Sequence, residues 1–346
     1  MDYAGLDIRG LRYPVDRPLT DEERRLRYEQ KKPSSSKEPN DFLSVIKLNG
    51  SYIDLVDRWY PIKGFDVWLG GGIAIVFLIG IFLMVDIVIN PPNGKETEAI
   101  AVAIVFSCIF MVIVYAGYWL IRTECGRWTH YPMRLNRKTR MVYVFRQNGT
   151  VLESPWDKLF ITRGEAKSSM SGTTWDLRAH VLDEDGVTVG ESFSLGYTFP
   201  GKEDSMDKFW AFLQPYMEAP DGVERTHRKL KSEGFLLPLD GRKEGWRWSI
   251  ARTFAPGGFW PWLQFLASPP LAWIAAGRIL AMWTSKQPVW PDEVEQANPV
   301  EPNDPYTLTW RDNEPLGWWE LYWPMICFVV GIAATVWVLW LIFSAL

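Results

Sequence analysis

"AIAVAIVFSCIFMVIVYAGYWLI", Ala99 to Ile121, runs for 23 residues without a charge, and shortly after it "RKTRMVYVFRQNGTVLESPW", Arg137 to Trp156, alternates apolar and polar positions around Asn148-Gly149. Roughly 20 helical residues cross the ~30 Å hydrocarbon core of a bilayer. Alternation with period two around Asn-Gly is the signature of a β-hairpin in water. Read together, the stretches predict an α+β membrane protein in which a small β module follows directly on a transmembrane helix.

Two more segments have the same character. "VWLGGGIAIVFLIGIFLMV", Val67 to Val85, is uncharged, and so is Leu321 to Leu346. Helices apolar on every face are rare in water-soluble cores. "NPPNGKETE" joins the first two segments, and its Pro, Asn and Gly make a tight turn, so they form a transmembrane helical hairpin. Some 65 polar and charged residues precede the first span, which is therefore read as an uncleaved anchor. Orientation follows from basic residues near the spans. Arg122, Arg127, Arg134, Arg137, Lys138 and Arg140 follow the second, against Lys95 alone in the connecting loop. The N-terminus and the middle of the chain are thus expected on the cytoplasmic side of a bacterial inner membrane. The same six residues either face anionic headgroups, at ~1 kcal/mol each, or only fix the topology.

"FWPWLQFLASPPLAWIAAGRILAMW", Phe259 to Trp283, is a fourth membrane element. Pro269 and Pro270 interrupt it, and Arg278 would cost about 2.5 to 3.5 kcal/mol at mid-bilayer. It is read as lying in the interface, with spanning as the other possibility. Trp260, Trp262, Trp273 and Trp283 then sit at headgroup level, joined by Trp246, Arg247, Trp248 and Arg252 of the upstream "WRWSIARTF".

Outside the membrane, Thr20 and Glu23 form a capping box for a helix ending near Pro33, followed by the linker "PSSSKEPN". "FLSVIKLNGSYIDLV" reads as a hairpin at Asn49-Gly50 or the start of a helix. Strands flank Asn148-Gly149 and Asp185-Gly186, both with type I′ turn chemistry. "DSMDKFWAFLQPYME" places Met206, Phe209, Trp210, Leu213, Tyr216 and Met217 on one helical face, which is expected to plug the sheet or to bind a partner. Strands closed by a C-terminal helix is the order of pleckstrin-homology-like (PH-like) domains, an analogy of fold only.

The predicted organisation is a cytoplasmic N-terminal segment (1–65), the transmembrane hairpin (66–121) and the β module with its closing helix (122–220). An interfacial aromatic region (221–290), an acidic Pro-rich linker (291–320) and a final transmembrane helix (321–346) complete it. The linker, rich in Pro, Asp and Glu, is expected to be an unpacked tether.

A net charge of −4, from 37 basic and 41 acidic residues, leaves no excess to neutralise phosphates, so nucleic acid is not expected as a partner. Cys108, Cys125 and Cys327 lie far apart, and His130, His180 and His227 have no Cys or carboxylate at ligand spacing. "DEDG" at Asp183 lacks the alternating acids and closing Glu of a calcium loop. No phosphate loop, nucleophile elbow or dinucleotide fingerprint is present. No catalytic residue, metal or cofactor is therefore expected. The lipid bilayer and a protein partner are.

"YPVDRPLT", "RLNRKTRMVYVFR", "PWDKL", "ESFSLG" and "FWAFLQPYME" follow one another as in a group of uncharacterised proteobacterial multi-pass membrane proteins, which the chain resembles to about Pro220. Such proteins are often encoded beside effectors of type VI secretion or polymorphic toxin systems. The resemblance implies an immunity or accessory protein. With no catalytic residue expected, the main reading is a non-enzymatic immunity protein that neutralises a toxic effector acting in the cytoplasm or inner membrane, and the alternative is a membrane-bound adaptor or lipid-sensing scaffold that recruits a protein partner. Gln214-Pro215 stands where the resemblance implies a basic pair.

Overall fold

A computed structural model describes residues 13–34, 36, 38–92, 94, 96–168, 172–200, 204–255 and 260–345. Ser35 and Lys37 of the expected linker, Asn93 and Lys95 of the expected turn, Phe259 and Leu346 lie outside the described residues. In chain order the elements are β1 (Arg17–Pro18), α1 (Asp21–Arg25), β2 (Arg27–Tyr28), β3 (Val45–Leu48), β4 (Tyr52–Leu55), α2 (Phe65–Ile89), α3 (Glu96–Glu124) and β5 (Met133–Asn136). They continue with β6 (Met141–Phe145), β7 (Val151–Pro155), β8 (Leu159–Ser168), β9 (Gly172–Leu182), β10 (Thr188–Pro200), α4 (Asp204–Glu218) and α5 (Gly222–Glu233). The last are α6 (Trp246–Phe254), α7 (Pro261–Leu266), α8 (Ser268–Thr284), α9 (Asp292–Ala297) and α10 (Trp318–Ala345). The chain is α+β and divides into two units.

One unit, residues 1–61, 128–243 and 287–315, holds two antiparallel sheets ordered β1-β10-β9-β8-β2 and β3-β4-β5-β6-β7. The N-terminal segment is thus no separate domain. It supplies four strands, and β4 pairs with β5 in register Tyr52↔Asn136 to Leu55↔Met133, although α2 and α3 intervene in sequence. Of the two readings of this stretch the hairpin at Asn49-Gly50 forms, but its partner strand lies beyond two long helices. The expected single module of about six strands is therefore two five-stranded sheets.

Three local expectations are corrected. The capping box forms, with Glu23 N donating to Thr20 Oγ1 at 3.2 Å, but α1 stops at Arg25 because Leu26 O then accepts from Arg163 N and β2 pairs with β8. At Asn148-Gly149 and Asp185-Gly186 only the glycines have positive φ, +84° and +67°. Gly149 N donates to Arg146 O and Gly186 N to Asp183 O, so both are type I turns followed by a left-handed glycine. Asn148 and Asp185 remain right-handed because their side chains accept the amides of Thr150, Val187 and Thr188.

The acidic stretch is not an unpacked tether within this unit. Val294 and Asn298 are buried, Asn136 Nδ2 donates to Asn298 Oδ1 at 2.6 Å, and Leu308 bridges to Leu48. Helix α4 buries the whole predicted face, Met206, Phe209, Trp210, Leu213, Tyr216 and Met217. Phe209 packs on Phe199 of β10, Trp210 stacks on Trp156 at 5.9 Å, and Tyr216 OH donates to Asn49 O in the β3–β4 turn. The helix thus touches strands or turns of both sheets.

The second unit, residues 62–127, 244–286 and 316–346, is helical. Helices α2, α3 and α10 are each long and apolar enough to cross a membrane. Helices α2 and α3 approach closely at Gly70 and Gly117, where a Cβ on Gly70 would lie 2.4 Å from Gly117 O, whereas Gly71 and Gly72 face open space. The region 221–290 is divided: α5 belongs to the sheet unit and packs on α4, and α6 to α8 belong here. Helix α8 does not lie apart on a surface. It packs on α2 and α10 through Gly277, whose Cβ would be 2.7 Å from Gly64 O, and through Ser268 O, 2.1 Å from a Cβ built on Gly331. Small residues permit this approach where apolar length alone suggested a surface helix.

Candidate membrane interface and buried polar clusters

The aromatic residues singled out in sequence lie in the helical unit. Trp246, Trp260, Trp262 and Trp283 are exposed with Arg247, while Trp248, Arg252 and Trp273 are half-buried. Trp318 and Trp319, which the sequence reading placed in the acidic linker, and Tyr322, which it placed in the last span, are exposed as well. Trp318, Trp319 and Trp323 pack together at 4.9 to 6.3 Å between ring centroids, and Trp323 Nε1 donates to Pro261 O at 3.3 Å. Hence α7 begins level with the first turns of α10. Trp rings with an apolar body and a polar N–H favour such a boundary.

At the same level sits a charge cluster. Arg278 is 2% exposed and forks onto Glu244, with Nε to Oε1 and Nη2 to Oε2 both 2.7 Å, and its Nη1 reaches Lys63 O at 3.3 Å. Ser249 Oγ adds a 2.6 Å bond to Glu244 Oε1. Nearby in the bundle, Glu124 accepts the amides of Gly64 and Val67 and so caps the N-terminus of α2. Arg278 was visible in sequence as a charge in an apolar run. Glu244, 34 residues away, carried no signal naming it as the partner.

The six basic residues do not form one lipid-facing patch. Arg122 and Arg127 are exposed in the helical unit. The other four are engaged inside the sheet unit. Arg134 is 2% exposed, bonded to both oxygens of Asp54 at 2.8 and 2.9 Å and lying over Tyr52 and Trp290. Burial opposes its charge, yet the carboxylate of Asp54 outweighs that and holds the guanidinium above its ordinary pKa. Arg137 donates to Ala219 O, Lys138 pairs with Glu301, and Arg140 binds Asp157 and Glu218. Their partners come from distant segments, which is why sequence position made them look like a membrane patch.

His180 is not isolated as its sequence surroundings suggested. Its Nδ1 lies 2.6 Å from Ser192 Oγ, its cross-strand partner, and its Nε2 3.3 Å from Glu23 Oε1. Ser, His and Glu are the residue types of a hydrolytic triad, but His180 and Ser192 are 0% exposed, so no substrate carbonyl reaches Ser192. Burial, chiefly, pulls His180 down to about 4, so the imidazole is neutral at pH 7. Burial pushes Glu23 up, but the bonds from Arg17 and the Thr20 amide prevail and bring it to about 2. In the same unit a cavity of about 10 Å³, lined by Asp57, Trp59, Tyr131 and Ser194 among others, has room for no more than one water. Among the described residues no three His, Cys, Asp or Glu side chains are placed to hold a metal ion.

Fold and surface define the class: an α+β protein with two antiparallel sheets and three helices long enough to cross a bilayer. Residues 110–302 match a family of unknown function, DUF6708, and as the match covers more than half of the chain, the chain belongs to that family. No curated protein and no solved structure matches the chain.

Proposed function

We propose that the chain is a non-enzymatic, multi-pass protein of a bacterial inner membrane that binds and neutralises a toxic effector acting in the cytoplasm or within that membrane. One observation carries the reading. Only residues 90–95 separate α2 from α3, whereas the opposite ends, at Phe65, Glu124 and Trp318, are those through which the chain continues into the sheet unit. A stable protein interface takes about 20 to 30 residues a side. The α2–α3 loop is too small to supply it, whereas the sheet unit, into which the chain continues from the other ends of these helices, offers enough residues. Arg122 and Arg127 at the end of α3 support a cytoplasmic placement of those ends and of the N-terminus.

Burial of His180 and Ser192 supports a binding role over an enzymatic one. A lipid-sensing scaffold, with PH-like order in the strands that precede α4, is the second reading. The exposed Trp246, Arg247, Trp260, Trp262 and Trp283 favour it, while the internal pairing of Arg134, Lys138 and Arg140 weighs against headgroup binding by the sheet unit.

The test is bacterial growth and membrane potential during expression of the neighbouring candidate effector, with and without this protein, alongside detergent pull-down. Protection with a retained complex is the expected result. Toxicity despite a complex would point to an adaptor, and loss of both would favour the scaffold.

A further inference from the structure

We infer that α7 and α8 form a re-entrant helical hairpin that enters one leaflet at the end of the bundle where α2 and α10 begin, packs against lipid acyl chains, and returns to the same side. The inference rests on the membrane reading above and goes beyond it, because neither a surface-lying nor a spanning segment fits the packing.

Helix α10 serves as a depth gauge. Pro261, which opens α7, accepts from Trp323 in the outer turns of α10. Ser268, which opens α8, lies against Gly331. The eight residues from Trp323 to Gly331 correspond to about 12 Å of helix, so the chain descends by that distance along α7. Helix α8 then runs back antiparallel to α10. Ala275 joins Cys327 in one core cluster, with Ile279 and Trp323 packed on it, and Gly277 and Arg278 meet Gly64, Lys63 and Trp68 at the start of α2. The helix ends at Thr284 beside exposed Trp283, with Arg278 back at the outer level.

From Trp323 to Ala345 the last helix rises about 33 Å, one hydrocarbon thickness. A tip some 12 Å down stays short of the midplane. The surface presented there is apolar: Leu263, Phe265 and Leu266 are exposed, Leu266 at 67%. Helix α10 is exposed and apolar at that depth too, with Val329 at 65%, so acyl chains are the occupant that would cover both. At the turn, Ala267 N donates to Leu263 O and Ala267 O accepts from Leu271 N, so this peptide is paired on both sides. The Arg278–Glu244 pair also finds its reason, because at this depth it lies near the headgroups and not in mid-bilayer.

The experiment uses the full chain in phosphatidylethanolamine and phosphatidylglycerol vesicles, with Cys108, Cys125 and Cys327 replaced by Ala. Single cysteines at Trp260 and Thr284 are treated with a membrane-impermeant maleimide, and spin labels at Leu266, Trp283 and Val329 are read for oxygen against nickel-chelate access. Expected are labelling of Trp260→Cys and Thr284→Cys from the same side, and an oxygen preference at Leu266 close to that at Val329 and several-fold above that at Trp283. Labelling of the two cysteines from opposite sides would overturn the inference in favour of a span. Equal, shallow values at Leu266 and Trp283 would overturn it in favour of a surface helix. Release of the protein from vesicles by alkaline carbonate would instead overturn the membrane reading itself.

Discussion

The guanidinium of Arg134 on β5 forks onto the carboxylate of Asp54 on β4, with Nε to Oδ1 2.8 Å and Nη2 to Oδ2 2.9 Å, in a site where both residues are at most 5% exposed. The two strands are separated in sequence by the α2–α3 hairpin, so the pair fastens together the parts of the sheet that the two long apolar helices divide in sequence. Glu295, 3.2 Å from Nη1, and Trp290 attach the acidic segment to the same guanidinium.

Removing one partner leaves a buried charge alone, at about 3 to 5 kcal/mol, whereas replacing both with apolar residues is often neutral. Arg134→Met is therefore expected to lower the urea midpoint of the detergent-solubilised protein and to raise hydrogen exchange in residues 290–298. Arg134→Met with Asp54→Leu should recover most of the midpoint but leave residues 290–298 exchanging fast, because Glu295 and Trp290 lack their anchor. Recovery of both by the double variant would show that Arg134 does not hold the segment.

The His180 cluster sets an acid dependence in two windows. His180 titrates near 4 folded against 6.5 unfolded, so between those values only the unfolded chain takes the proton and stability falls as pH falls. The loss is at most about 3.5 kcal/mol at ~1.4 kcal/mol per unit. Glu23 titrates near 2 folded against 4.5 unfolded, so its contribution is complete above 4.5 and is lost as pH falls toward 2. Exchange protection in β9 and β10, corrected for intrinsic rates, should decline first between pH 6.5 and 4. His180→Gln should flatten that window and leave the lower one. An unchanged upper window in that variant would assign it to another group.

Gly196 in β10 has φ +77°, and a Cβ there would meet the ring of Phe209 at 2.6 Å. Gly196→Ala carries both the left-handed penalty, about 1 to 2 kcal/mol, and a clash with α4. Phe209→Leu should relieve the second cost and not the first. A double-mutant cycle on thermal melts is expected to give a favourable coupling, and strict additivity would mean that α4 shifts freely on the sheet.

Legibility followed the range of the interactions. The apolar runs, the hairpins at Asn148 and Asp185 and the buried face of α4 are local patterns of period 3.6 or 2, and sequence shows them directly. Pairing of β4 with β5, Arg134 with Asp54, Arg278 with Glu244 and His180 with Glu23 joins residues 34 to 157 positions apart, and nothing local names the partner. The basic run after α3 shows the consequence. Its charge was readable, but its neutralisation by Asp54, Asp157, Glu218 and Glu301 required the fold. The acidic segment was misjudged for the same reason: its composition is that of a tether, yet its Asn298, Leu308 and Asn313 each meet a specific partner in the sheet unit.

The glycines of the helical unit separate packing from composition. A Cβ on Gly331 would lie 2.1 Å from Ser268 O, a backbone atom at the start of α8 that has no side-chain freedom with which to yield. Gly331→Leu must therefore push α8 from α10, and Gly70→Leu must push α3 from α2, where Gly117 O is 2.4 Å away. Overpacking costs about 1 to 3 kcal/mol, and lipid tails solvate a separated apolar helix as readily as its neighbour does, so no hydrophobic gain restores the contact. Both variants are expected to aggregate at lower temperature in detergent. Gly71→Leu and Gly72→Leu, on the same helix with nothing within 4 Å, are expected to behave as the parent. Equal loss in all four would mean that the glycines act through α2 flexibility and not through close approach. In Gly331→Leu, spin-label depth at Leu266 should also become shallower, since α8 is the element that holds α7 against α10.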